Sequence, residues 1–126
     1  MTQAKPRPQG DDVDATLVQA GKLLRHDPLK AAELASNVVA ENSADASRKL
    51  SARQILGTAH RLLGQPEQAL AILEPIAAGH SKHAHVLHEV GLCYSALGKD
   101  AKALKSLRDA VQADANYSAA WLSLGN

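Results

Sequence analysis

His80, His83, His85 and His88 stand within nine residues of a 126-residue chain, a grouping whose chemistry would be metal binding or proton uptake. A metal site needs three or four imidazoles, thiolates or carboxylates converging on one point. His85 and His88, at i and i+3, share a helix face, but His80 and His83 precede or open that helix. No Cys or acid completes a known ligand spacing, so no metal is expected. A joint gain of charge below roughly pH 6.5 is the better reading of the cluster. Lys99, Lys102, Lys105 and Arg108 recur every three residues. Phosphate binding would suit them, but Asp100 and Asp109 interrupt the row and no ring accompanies it for base stacking. They read as a solvated outer face, and no nucleic-acid partner is expected. Cys93 and His60 are expected to be partly buried structural residues, because a nucleophile needs a base and a third group to orient it. Neither a G-x4-G-K-[ST] phosphate loop nor a G-x-S-x-G elbow occurs. The chain therefore reads as a non-enzyme with no catalytic residues and no cofactor.

Composition agrees with a binding or structural role. Hydrophobic residues make up 45% of the chain, yet aromatic residues are only 2% and Phe is absent. Such aliphatic, alanine-rich chains favour close helix packing over a ring-filled sheet core. A formal net charge of +1 gives no field that would gather polyanions or an anionic membrane. No apolar run approaches the ~20 residues that span a bilayer. The segment MTQAKPRPQG, residues 1–10, reads as a disordered tail without the apolar stretch of a signal peptide. With the single Cys93, this leads to the expectation of a cytoplasmic protein.

The elements that must position these side chains announce themselves as a repeat. QILGT at 54–58, HEVGL at 88–92 and LSLGN at 122–126 place Gly57, Gly91 and Gly125 thirty-four residues apart. Gly64 and Gly98, Ala69 and Ala103, and Leu73 and Leu107 follow in the same phase. A glycine inside a helix costs about 1 kcal/mol relative to alanine, so its place needs a reason such as close helix contact. Gly57 and Gly91 fit that role, with Ala69 and Ala103 expected opposite. Gly64 and Gly98 suit the residue just past a helix end, where a left-handed backbone is favoured. Gln65-Pro66-Glu67 then restarts a helix, with proline at its first position. Asp27-Pro28 repeats this chemistry, and Ala31 and Leu34 correspond to Ala69 and Ile72 at an offset of thirty-eight. The four extra residues are placed within Ala44–Lys49, lengthening the next helix by a turn. Val13, Leu17, Ala20, Gly21 and Leu24 give an earlier helix its apolar stripe. Glu74-Pro75 predicts a bend or early stop.

Thirty-four residues holding two helices and a glycine turn resemble the tetratricopeptide repeat family. The copy 84–117 matches its pattern at Leu87, Val90, Gly91, Tyr94, Gly98, Ala103, Leu107 and Ala110, departing at Ala115. The copy 50–83 matches at Leu56, Gly57, Gly64, Ala69 and Leu73, departing at Arg53, His60 and Ile76. A degenerate copy spans 11–45, and residues 118–126, with Trp121, Leu124 and Gly125 in register, open a further one. The resemblance implies an all-α, right-handed superhelix of helix hairpins over 11–126 that binds a protein or peptide in a concave groove. The groove residues it implies are Ser51, Gln54, Thr58 and Arg61, then His85, His88, Leu92 and Ser95, then Ala119, Leu122 and Asn126. The lysine and asparagine clamp by which some family members hold a chaperone carboxylate is missing, since Gln54, Thr58, Glu89 and Ala119 stand there, and Glu89 would repel the ligand.

The run 55–126 also resembles the amino-terminal repeats of bacterial repeat-containing sulfotransferases. The phrases are Leu56-Gly57 with Arg61 and Gly64, LEPIA at 73–77, GLCYSALG at 91–98 and AWLSLG at 120–125. That resemblance implies a non-catalytic region beside a phosphosulfate-binding domain whose loop does not occur here. Residues 118–126 are too short for a stable isolated helix. The expectation is either that the native chain continues past Asn126 or that this apolar end self-associates.

Overall fold

The computed structural model describes residues 10–79 and 83–124. Among them lie seven helices and no strand: α1 Gly10–Leu23, α2 Pro28–Ala40, α3 Ala46–Leu62, α4 Pro66–Ala77, α5 Ala84–Ala96, α6 Asp100–Ala113 and α7 Ser118–Ser123. Residues 1–9 of the expected tail, His80, Gly125 and Asn126 lie outside the described residues.

Helix starts and stops follow the local chemistry of the sequence. The Asp27 carboxylate accepts a hydrogen bond from the Lys30 amide at 3.1 Å, capping α2 ahead of Pro28. Asp45 does the same for α3 through the Arg48 amide at 2.8 Å. Each such cap satisfies one of the donors that a helix start leaves unpaired. At the other end, α3 and α5 close with the same motif. Gly64 and Gly98 take φ of 75° and 74°, a left-handed backbone that a side chain would disfavour. Gln65 N–H then reaches His60 O at 2.8 Å, and Lys99 N–H reaches Tyr94 O at 2.9 Å. Both are the six-to-one bond of a Schellman cap.

The placement of four additional residues before the second pair is borne out in the helix itself. α3 has 17 residues against 13 in α5, and all of the excess is at its start. Arg48, in that added turn, donates to both Asp14 carboxylate oxygens at 2.7 and 3.1 Å and to Asp45 at 2.9 Å. The guanidinium holds the Asp14 carboxyl below its ordinary range, and it ties α1 to α3. Pro75 acts later than expected. α4 runs through it to Ala77 and ends two residues short of the point matching the end of α6.

Each helix packs on its chain neighbours, and the odd-numbered helices also touch one another: α1 on α3, α3 on α5, α5 on α7. The even-numbered helices α2, α4 and α6 make no such contact among themselves. A row packed more tightly along one side bends toward that side, so the odd helices form the inner wall. The core between them is built from small residues. Ala20, Ala31, Ala35, Ala52, Ala59, Ala69, Ala110 and Ala120 are fully buried, and the largest fully buried side chains are Leu73, Val13, Val86 and Cys93.

The two in-phase glycines are points of close approach within their hairpins, where a leucine adds to the alanine expected opposite. A Cβ on Gly57 would lie 2.5 Å from Leu73 Cγ, and one on Gly91 would lie 2.9 Å from Leu107 Cγ and 3.3 Å from Ala103 O. At Gly91 the backbone of the expected Ala103 lies opposite, and at both glycines a leucine fills the notch that is left. The reason is direction: side chains lean toward the N-terminus of their helix, so Leu73 covers the backbone one turn before its own Cα. Gly57→Ala is therefore expected to destabilise the fold by about 1–3 kcal/mol. Gly21→Ala, with nothing within 4 Å of the added atom, is expected to be neutral or slightly stabilising. Thermal melting of the two variants checks this, and equal melting temperatures would contradict the contact.

Candidate functional site

The inner wall carries the residues expected to line a groove, and their surroundings differ. Ser51, His85, Ser95 and Leu122 are exposed, and Gln54, Arg61, Leu92 and Ala119 are half-buried. Thr58 and His88 are buried. Asn126 lies outside the described residues. Those of α3 stay on one face through the i, i+3 and i+4 spacing. From α5 toward α7 they become part of a polar cluster.

That cluster begins with an ion pair between neighbouring hairpins. Arg61 Nε of α3 donates to Glu89 Oε2 of α5 at 2.5 Å, and its Nη2 to Oε1 at 3.3 Å. The Glu89 side chain is 6% exposed and that of Arg61 24%. In sequence Glu89 seemed to be a carboxylate facing the groove that would repel another. It is instead buried and neutralised in place, because its partner lies twenty-eight residues earlier on the adjacent inner helix. The only sequence signal was opposite charge on two stripes that the repeat superimposes.

The second part of the cluster fastens α7. His85 Nδ1 and Tyr117 OH lie 3.0 Å apart, and His88 Nε2 and Ser123 Oγ 2.9 Å apart. The Tyr117 ring meets both imidazoles edge-on, with centroids at 6.5 and 5.6 Å. The other His88 nitrogen, Nδ1, is buried with no partner, as is Thr58 Oγ1. Burial lowers the His88 pKa from 6.5, which the nearby Glu89 carboxylate only partly opposes. Tyr117 and Ser123 were not singled out in sequence, and a lone tyrosine before a short helix gives little reason to be. His85 and His88 thus do share a face, but they bind hydroxyls. Among the described residues no three His, Cys, Asp or Glu side chains are grouped to hold a metal ion.

The remaining candidates sit in ordinary structural roles. Cys93 is fully buried, and burial pushes its thiol up to about 11, far from a nucleophile's range. His60 Nδ1 lies 2.7 Å from Gln65 Oε1. The row on α6 is exposed as expected: Lys105 pairs with Asp109 at 2.9 Å, and Lys102 lies over the Tyr94 ring at 5.5 Å. Tyr94 OH donates in turn to Glu74, joining α5 to α4.

Helix pairs with a 34-residue phase, Schellman glycines and small residues at the contact are now all in view, and one comparison adds to them. Residues 84–117 match the family model for the tetratricopeptide repeat. The match covers α5, α6 and the residues up to Tyr117, the hairpin whose Gly91 notch is filled by Leu107. No curated protein and no solved structure matches the chain. The fold is an all-α superhelix of the tetratricopeptide kind. Repeats of this kind are protein-interaction modules and generally lack catalysis. No helix among the described residues is long and apolar enough to cross a membrane.

Two outcomes follow from the cluster. Arg61→Met leaves the Glu89 charge buried and unpaired, and is expected to cost about 3–5 kcal/mol. The double variant Arg61→Met, Glu89→Leu should recover most of that loss in urea unfolding. For pH, His88 is held neutral in the fold while the unfolded chain titrates near 6.5. The unfolded state therefore takes up the proton first, so stability is full above about pH 6.5 and declines below it. Melting temperature measured from pH 7.5 down to 5 should show this decline, and His88→Gln should flatten it.

Proposed function

We propose that the chain is a protein-binding scaffold that holds a partner segment along the inner wall of α3, α5 and α7. The observation that carries the reading is the pairing of inner helices α1–α3–α5–α7 beside outer helices that stay apart, in a chain with a matched tetratricopeptide repeat. On this reading the exposed positions Ser51, His85, Ser95 and Leu122 would form one row. The partner contacts would come from small polar groups and one leucine, without a field of either charge. An extended or helical peptide of mixed polarity suits such a wall better than a highly charged one. Arg61 and Glu89, paired with each other, would shape the wall and leave the outer positions to read the partner.

A second role for the C-terminal part is favoured by one feature. Leu122 is 72% exposed and Trp121 40% exposed on α7. That apolar surface would meet either a further element of a longer protein or a second copy. The sulfotransferase reading of such a longer protein rests on the phrases within 55–126 alone.

Photo-crosslinking tests the scaffold reading. Benzoylphenylalanine placed at Ser51 or Ser95 on the inner wall should capture the same cellular partner, and placed at Lys105 or Arg108 on α6 should not. Capture from α6 only would overturn the assignment to the inner wall. Sedimentation of the same chain with and without Leu122→Asp checks self-association, which predicts a dimer that the substitution dissolves.

A further inference from the structure

The outer side of the stack holds a cleft that the inner-wall reading leaves unused. It lies where α2 and α4 fail to meet, with α3 as its floor, and has a volume of about 720 Å³. Val39, Leu50, Leu56, Ile72 and Ile76 supply apolar lining. Arg53 and His83 also line it, and no acidic residue does.

The repeat explains why the cleft is open. Adding thirty-four to Arg53 and His83 gives Leu87 and Tyr117 in the next copy. There Leu87 is 7% exposed and packs with Ala110 and Ala120, with Ala77, Val111 and Tyr117 against them. Leucine and tyrosine thus plug the corresponding space between hairpins. In the earlier copy the same two columns carry a guanidinium and an imidazole, and the space is unfilled. Arg53 is exposed and makes no hydrogen bond or ion pair with any described residue. Its fork has an apolar cleft on one side and no counterion among the described residues.

We propose that this cleft binds an aliphatic monocarboxylate, its chain lying between α2 and α4 in the place that leucine fills one repeat later, its carboxylate on Arg53. The volume is in the range of small-molecule pockets, which bury an apolar body and use few polar groups to orient it. One planar guanidinium matches one carboxylate through two parallel N–H···O bonds. Among the described residues, a multiply charged head would find no second cation in the lining beyond His83. The site is separate from the inner wall, so it stands or falls without the scaffold reading.

The test titrates decanoate, kept below its micellar concentration, into the isotopically labelled full chain, followed by amide and Arg Nε chemical shifts. 1-Decanol serves as the uncharged control. Saturable shifts at Val39, Leu50, Leu56, Ile72 and Arg53 are expected, with decanoate about ten-fold tighter than decanol, the usual scale of a charge-assisted bond. Arg53→Gln should remove that preference and keep the decanol affinity. Arg53→Leu restores the plug and should lose both ligands while melting no lower than wild type. No saturable binding, shifts confined to the inner wall, or unchanged decanoate affinity in both variants would overturn the proposal. So would shifts at the cleft that follow protein concentration alone, since the occupant would then be a second copy.

Discussion

The stack depends on one contact made twice, a leucine seated in the notch of a glycine across the α3–α4 and α5–α6 hairpins. Leu73 against Gly57 and Leu107 against Gly91 leave no room for a Cβ. A helix glycine weakens its own helix by about 1 kcal/mol relative to alanine, and a fully buried leucine returns roughly 1.5–3 kcal/mol. The exchange favours the close hairpin only if the leucine is in register. Leu73 is fully buried and Leu107 nearly so, which is the condition met. Close axes then allow alanine to complete the core, and an alanine-lined core has little tolerance for a shifted helix, since each residue contributes small area and must touch on all sides.

Close hairpins set what happens between them. With α3 and α5 in contact on the inner wall, Arg61 and Glu89 come within bonding distance and are removed from water together. Such a pair adds little net stability, because desolvation offsets the attraction, but it punishes any other arrangement that would leave one charge alone. Its role is therefore to fix the relation of one repeat to the next. His88 and Ser123, with Tyr117 beside them, do the equivalent for α7, a helix of 6 residues that could not persist unaided. Alanine packing holds each hairpin closed, and polar contacts set hairpin on hairpin.

What the sequence made legible follows from the same division. Period, helix ends and the added turn of α3 were readable because local rules govern them: Gly64 and Gly98 at positive φ, Asp27 ahead of Pro28, and extra residues within 44–49 that have no counterpart in α5. Ala103 was expected opposite Gly91 and its backbone is there, but the leucines that fill both notches, Leu73 and Leu107, were not read as the contacts, because a column of letters carries no side-chain direction. Glu89 was misjudged for a different reason. Its neutralising partner is distant in sequence and lies on another repeat, so the charge seemed free. The groove residues were named as one stripe, and within it Thr58 and His88 are buried. Position in a repeat gives the face of a helix, but the next repeat decides how much of that face remains open.

Departures from the repeat pattern carry more information here than agreements do. Where a column holds its usual bulky residue, as at Leu87, the side chain fills the interval between hairpins and nothing is left to bind. Where Arg53 stands in that column, the fold survives because α3 is held by α2 beneath it, by α4 through Gly57, and by Arg48 to α1. The framework is over-determined at that point, so a plugging residue can be exchanged for a cation without loss of the helix. A solenoid is suited to this, since each unit answers only to its neighbours and a change in one interval need not propagate. The charge at Arg53 and the space beside it belong to the same two departing columns of a repeating frame, Arg53 and His83, and that shared place ties the two features to one another.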